Sequence, residues 1–244
     1  MAAQSRRQII VVDDAAVLAE TAARHLIARV GAQARAAVCL TGGSSPQQLY
    51  RLLGEAPWRS EVPWDRVHWF IGDDRFVPET DPLSNMGTVR RLLLDRVGAP
   101  QQNIHPMATD ANDPESAARL YEHDLKAFYG AQALDANRPL FDLVLMGLGG
   151  DGHTASLFPQ ASALNETKRW VLGIAKAGME PFVPRVTLTF PALASTREML
   201  FLVDSADKRA ILARVLAGED LPAAHAYADG ELVWLIVRAA APER

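Results

Sequence analysis

Of the six histidines in this chain, His153 is placed differently from the rest. It lies in Gly147-Leu148-Gly149-Gly150-Asp151-Gly152-His153-Thr154, directly after the apolar run Phe141–Met146. An imidazole on a glycine-rich turn has little steric cover, and imidazole is the usual general base near neutral pH. Asp151-Gly152-His153 therefore reads as a segment that could do chemistry. By contrast, His25 and His123 fall in helical patterns and His68 in a strand pattern, where structural roles are the ordinary expectation. The turn also contains a formal G-x-G-x-x-G at Gly147, Gly149 and Gly152. A dinucleotide site of that kind expects an acid about 20 residues on, at the end of the next strand. That strand ends near Ala175-Lys176 without one, so a nicotinamide reading is set aside.

Three further segments could hold an anion. Thr41-Gly42-Gly43-Ser44-Ser45-Pro46 joins a strand to a helix. Paired glycines let the backbone approach a ligand, free N–H groups at a helix start attract anions, and three hydroxyls add donors. It is not a nucleotide P-loop, since no Gly-Lys-Ser/Thr follows. The plain alternative is a tight turn with Ser45 as helix cap. Gly72-Asp73-Asp74-Arg75-Phe76-Val77-Pro78 sets two carboxylates beside an arginine. Arg75 could grip phosphate through two parallel bonds, and Asp73 could bind sugar hydroxyls or orient water. The alternative is a loop ion pair. Lys208, in Asp204-Ser205-Ala206-Asp207-Lys208, falls in the first turn of a helix if Ser205 caps it. A cation opposes the helix dipole there unless a bound anion lies between them. A solvated lysine offset by Asp204 and Asp207 is the alternative.

The surrounding pattern shows what must position these residues. Ile9–Val12, Ala36–Leu40, Val67–Ile71, Phe141–Met146, Trp170–Ile174, Val186–Phe190, Met199–Val203 and Leu232–Val237 read as strands. Asp13 or Asp14 caps a helix with Leu18, Ala22, Leu26 and Val30 on one face. Pro46 opens a short helix to Leu53. Gly72–Asp81 reads as a loop, and Ser84 starts a helix to about Val97. Asp113-Pro114 starts another, with Ala117, Leu120, Tyr121, Leu125 and Phe128 on one face. Ser205 is expected to cap a helix carrying Ile211, Leu212, Val215 and Leu216. Alternating strands and helices predict an α/β fold: an open, mostly parallel Rossmann-like sheet with helices on both faces, spanning residues 1–244 as one domain. Ligands of such sheets bind beyond the carboxyl ends of the strands, where all four segments fall.

Composition narrows the classes. The chain has 244 residues, 49% hydrophobic and 22% charged, enough for a sizeable core and unlike a disordered chain. No apolar run approaches the roughly 18 residues of a membrane span. A net charge of −4 and a pI near 5.9 offer no broad basic surface for nucleic acid. The single cysteine, Cys39, excludes an intramolecular disulfide and a cysteine metal cluster, and its apolar neighbours make it a small buried hydrophobe. Ser5-Arg6-Arg7 is followed only by the short apolar stretch Ile9–Val12, too short for an export signal, so the chain reads as cytoplasmic.

Taken together, Leu40-Thr-Gly-Gly-Ser-Ser-Pro46, Gly72-Asp-Asp-Arg-Phe-Val-Pro78 with Ser84-Asn85, Gly147-Leu-Gly-Gly-Asp-Gly-His153 with Ser156-Leu-Phe-Pro159, and Arg185-Val-Thr-Leu-Thr-Phe-Pro191 resemble the 6-phosphogluconolactonase family over nearly the whole chain. The family commonly has Asp-Glu-Arg where this chain has Asp73-Asp74-Arg75. The resemblance implies hydrolysis of 6-phosphoglucono-δ-lactone, the second step of the oxidative pentose phosphate route. It implies no metal, no organic cofactor, no membrane or nucleic-acid partner and no obligate protein partner. His153 matches the general base, with Asp151 or Asp73 orienting the imidazole or the substrate. Thr41, Gly42, Gly43, Ser44, Ser45, Arg75, Asn85, Gly152, Arg185 and Lys208 match the substrate and phosphate side. Two alternatives remain in view. An aminosugar-phosphate deaminase/isomerase shares the Asp-Gly-His turn, but it carries an acid where this chain has Ser156-Leu-Phe-Pro159. A non-catalytic sugar-phosphate sensor would need a DNA-binding segment, for which Arg238–Arg244 leaves little room.

Overall fold

The computed structural model describes residues 7–242. Ser5 and Arg6 of the amino-terminal arginine motif, and the last two residues of the tail, lie outside the described residues. In chain order the elements are β1 (Arg7–Val12), α1 (Ala15–Gly31), β2 (Ala36–Leu40), α2 (Gln47–Leu53), β3 (Val67–Ile71), β4 (Asp73–Arg75), α3 (Asn85–Val89), α4 (Asp95–Val97), α5 (Pro114–Tyr129), β5 (Leu143–Met146), β6 (Val171–Ile174), β7 (Arg185–Leu188), α6 (Phe190–Ala194), β8 (Glu198–Val203), α7 (Arg209–Leu216) and β9 (Glu231–Val237).

Six strands form a parallel sheet in the order β1-β9-β8-β5-β2-β3, flanked by helices, as the alternation predicts. β2, β5 and β8 are buried at every position. Strands covered on both faces have no solvent side to carry polar residues, hence their apolar runs, interrupted by Glu198 at the start of β8. Cys39 is fully buried within β2. In α1, Asp14 accepts from the N–H groups of Ala16 and Val17, and Leu18, Ala22, Leu26 and Val30 are all buried.

Several elements differ from the sequence reading. Residues 73–75, expected within a loop, form β4, which pairs antiparallel with β7. β7 in turn pairs antiparallel with β6, giving a second sheet in the order β4-β7-β6. A three-residue polar strand has no periodicity to read, and its partner is more than a hundred residues away. The expected strand Val186–Phe190 runs instead from Arg185 to Leu188, because Phe190 and Pro191 open α6. The Ser84–Val97 helix is capped by Ser84 as expected, but a π-helical turn over Arg90–Leu94 separates α3 from α4. Leu120 of α5 is 56% exposed and leaves the packed face to Ala117, Tyr121 and Leu125. Ser205 does not cap α7. Its hydroxyl bonds Asp207, and a 3-10 turn over Ala206–Lys208 precedes the helix.

Candidate active site

The turns after β2, β5 and β8 meet the second sheet around one cleft of about 190 Å³. Thr41, Gly42, Gly43, Ser44, Ser45, Asp73, Arg75, Asn85, His153, Arg185 and Lys208 all line it. Asp151 and Gly152 do not line it; they support it from behind.

The glycine-serine loop owes its shape to contacts on its far side. The Tyr50 hydroxyl of α2 donates to the Thr41 carbonyl at 2.7 Å and accepts from the Thr41 N–H at 3.1 Å. Gly43 has φ +88°, a conformation that side chains resist. Gly42 faces Asn85 so closely that a Cβ would lie 2.0 Å from its Oδ1. Ser45 makes no cap to α2; it donates to Asp204 Oδ1 at 2.5 Å.

β4 sorts its residues by alternation, since successive side chains of a strand face opposite ways. Asp73 and Arg75 face the cleft and Asp74 faces inward. Asp74 accepts from the N–H groups of Arg75, Asn85 and Met86 at 2.8, 2.6 and 3.0 Å, and from the Ser84 hydroxyl at 3.3 Å. Burial pushes its carboxyl up to about 6, against the pull of those N–H donors toward the anion. Its work is to bind the strand to the start of α3. Asp73 Oδ2 accepts from the Ser156 hydroxyl at 2.7 Å, and its carbonyl accepts from Asn85 Nδ2 at 2.9 Å. The segment from Gly72 to Asn85 is therefore tied down along its length, with Arg75 also donating to the Leu83 carbonyl at 2.7 Å.

Arg185 stands opposite Arg75 in the β4–β7 register, so two cations share one edge of the cleft. Arg185 is 4% exposed and its guanidinium donates to the carbonyls of Pro181 at 2.8 Å and Val183 at 3.2 Å. Burial first, and Arg75 second, hold its pKa below the usual arginine value. Arg75 Nε is buried with no hydrogen-bond partner. Like charges directly opposite on a strand pair destabilise it. An anion seated between these guanidiniums would reverse that term and satisfy the open donor. Lys208 reaches the same cleft from the turn before α7.

His153 faces this cationic edge from the β5 turn. Its Nδ1 lies 2.6 Å from Asp151 Oδ1, and its backbone N–H donates to the same oxygen at 3.0 Å. Burial alone would raise the Asp151 pKa, but the hydrogen bonds and charge of His153 outweigh it and hold Asp151 below the usual carboxylate range. An ionised acceptor at Nδ1 keeps the proton on that nitrogen and leaves Nε2 with its lone pair. Gly149 makes room for the ring: a Cβ there would sit 2.0 Å from Nδ1. Gly152, at φ +87°, packs on Leu221 and accepts from the Ala223 N–H at 2.9 Å. The Phe158 ring lies 4.9 Å from the imidazole.

Ser156, Phe158, Met179 and Glu180 also line the cleft and carry no assignment from sequence. Ser156 and Phe158 lie within a quoted motif, where a hydroxyl and an aromatic near the histidine were a usable signal. Met179 and Glu180 sit in a turn with neither motif nor periodicity. Among the described residues, no group of three His, Cys, Asp or Glu side chains is arranged to hold a metal ion. No helix among them is long and apolar enough to cross a membrane.

The family model described as glucosamine-6-phosphate isomerases/6-phosphogluconolactonase matches residues 13–234. A 6-phosphogluconolactonase of Synechocystis sp. is 39% identical, over 93% of this chain and 91% of the relative. One of Streptomyces coelicolor is 36% identical, over 97% and 94%. The crystal structure of 6-phosphogluconolactonase from Thermotoga maritima superposes with a TM-score of 0.82 at 28% identity, covering 96% of this chain and all of that one. By sequence and by fold, the chain belongs to the glucosamine-6-phosphate isomerase/6-phosphogluconolactonase family.

Proposed function

We propose that this chain hydrolyses the lactone ester of 6-phospho-D-glucono-1,5-lactone, giving 6-phospho-D-gluconate. The observation that carries this reading is one small cleft lined by two unlike sets of groups. A histidine held by an aspartate is one, and two arginines, a lysine and a glycine-serine loop are the other. A phosphate monoester fits the cations and an ester carbonyl fits the base. The 6-phosphogluconolactonases named above support the choice of substrate.

In this mechanism Arg75, Arg185, Lys208 and the loop Gly42–Ser45 hold the phosphate. His153 Nε2 takes a proton from water as its oxygen attacks the lactone carbonyl carbon. The tetrahedral adduct collapses with cleavage of the bond from that carbon to the ring oxygen. The imidazolium returns its proton to the departing oxygen, which becomes the hydroxyl of the open-chain acid. Asp73, held by Ser156, faces the sugar and accepts from its hydroxyls. The deaminase alternative lacks support at Ser156-Leu157-Phe158-Pro159, which supplies no carboxylate.

The test is acid release from freshly made 6-phosphoglucono-δ-lactone near pH 7, with an enzyme-free control because lactones hydrolyse unaided. His153→Ala should lower kcat by roughly 10²–10⁴-fold, the usual worth of a general base, and still bind 6-phosphogluconate. A wild-type rate equal to background would refute the activity. A fully active variant would move the base elsewhere.

A further inference from the structure

Asp204 is the first residue after β8. It accepts the hydroxyl hydrogen of Ser45 at 2.5 Å. These two residues follow strands that are not neighbours, because β5 lies between β2 and β8. At a strand spacing of about 4.8 Å, the two loops start roughly 10 Å apart. Through this bond the glycine-serine loop and the turn bearing Lys208 meet across the end of β5. The carboxylate comes at an electrostatic cost, since it stands beside a loop suited to attract an anion. It also takes the single hydrogen of the Ser45 hydroxyl, which then cannot be donated to a phosphate. Neither effect favours anion binding directly, so the gain must be geometric. Lys208, whose Nζ is 3.6 Å from Asp207 Oδ2, is only loosely held by that neighbour and stays turned to the cleft.

We propose that Asp204 is a positioning residue for the phosphate end. Its bond to Ser45 sets the glycine-serine loop at the separation from Lys208 at which both face one phosphate group. The proposal rests on the reading of the cleft as a phosphorylated-lactone site.

Steady-state kinetics of Asp204→Ala and Asp204→Asn on 6-phosphoglucono-δ-lactone and on unphosphorylated glucono-δ-lactone test it. Asp204→Ala should raise KM for the phosphorylated substrate about tenfold, equivalent to about 1.4 kcal/mol, with kcat little changed. Hydrolysis of the unphosphorylated lactone should not respond. Asp204→Asn keeps an oxygen that accepts from Ser45 and loses the charge, so its KM should return to the wild-type value or below. A wild-type KM in the alanine variant would overturn the proposal. So would a KM lowered equally in both variants, which would make Asp204 only a repelling charge. If Asp204→Ala does not fold, Asp204→Leu, which fills similar space and cannot accept from Ser45, carries the same expectation. If the wild type hydrolyses neither lactone, the functional reading falls and titration with inorganic phosphate decides: weaker binding in alanine with recovery in asparagine supports the latch, and equal affinities refute it.

Discussion

His153 can serve as a base only while its other nitrogen is fixed, and the 2.6 Å contact with Asp151 fixes it. Asp151→Asn keeps the shape but changes the donor pattern. The new amide can donate to Nδ1, which then carries the lone pair and leaves the proton on Nε2, facing the water it should deprotonate. We expect kcat to fall by about 10²–10⁴-fold while KM stays near wild type, because the phosphate end is untouched. Steady-state kinetics across pH 5 to 9 checks this. A KM effect without a kcat effect would place Asp151 in substrate binding instead. Residue chemistry thus divides the acids of the site. In the proposed mechanism Asp151 orients the base and Asp73 faces the sugar, whereas Asp74, next to it in sequence, turns inward to hold backbone N–H groups.

At the scale of elements, two glycine turns carry the base and the anion loop of the proposed reaction, and their substitutions should separate kinetically. An alanine Cβ at Gly149 would lie 2.0 Å from His153 Nδ1, and one at Gly42 would lie 2.0 Å from Asn85 Oδ1. Gly149→Ala should therefore displace the imidazole and depress kcat, whereas Gly42→Ala should distort the anion loop and raise KM. Both variants should keep the fold, which thermal unfolding will show. Identical kinetic changes in the two would mean that the turns do not act separately. These turns were legible in sequence because glycines after apolar runs mark both the end of a buried strand and a close approach. The second sheet was not. β4 is too short and polar for a pattern, and its pairing with Arg185–Leu188 depends on distant partners. For the same reason the rule that ligands bind beyond strand ends does not reach Arg185, which starts its strand. The antiparallel pairing is what brings it opposite Arg75. Lys208 was found through its conflict with the helix dipole, although the helix it precedes begins one residue later.

Across the whole molecule, the parallel sheet separates catalysis from a charge network at its opposite end. Glu198 and Glu231 start β8 and β9, while the cleft lies beyond the carboxyl ends of the strands. Glu198 is 1% exposed and bonds His25 and Arg29 of α1, each at 2.5 Å. Burial would raise its pKa, but these partners outweigh burial and hold it below the usual glutamate value. Its stabilising contribution is present above the unfolded value near 4.3 and is lost as pH falls through the lower folded value. His68 on β3 acts in a higher window. Burial first, then the neighbouring His105, lowers its pKa to about 4. The unfolded imidazole takes up its proton near pH 6.5, so this contribution is present above that pH and is lost as pH falls toward 4. Unfolding by urea from pH 7 down to pH 3 should show both. His68→Gln should flatten the decline between about 6.5 and 4. Glu198→Gln should cost about 2 kcal/mol at pH 7, the worth of a hydrogen bond to a charged group, and should flatten the decline below about 4.5. Lactone hydrolysis at pH 7 should remain at the wild-type rate in Glu198→Gln, because the sheet's length lies between that network and His153. An acid limb identical to wild type in both variants would show that other groups govern acid stability.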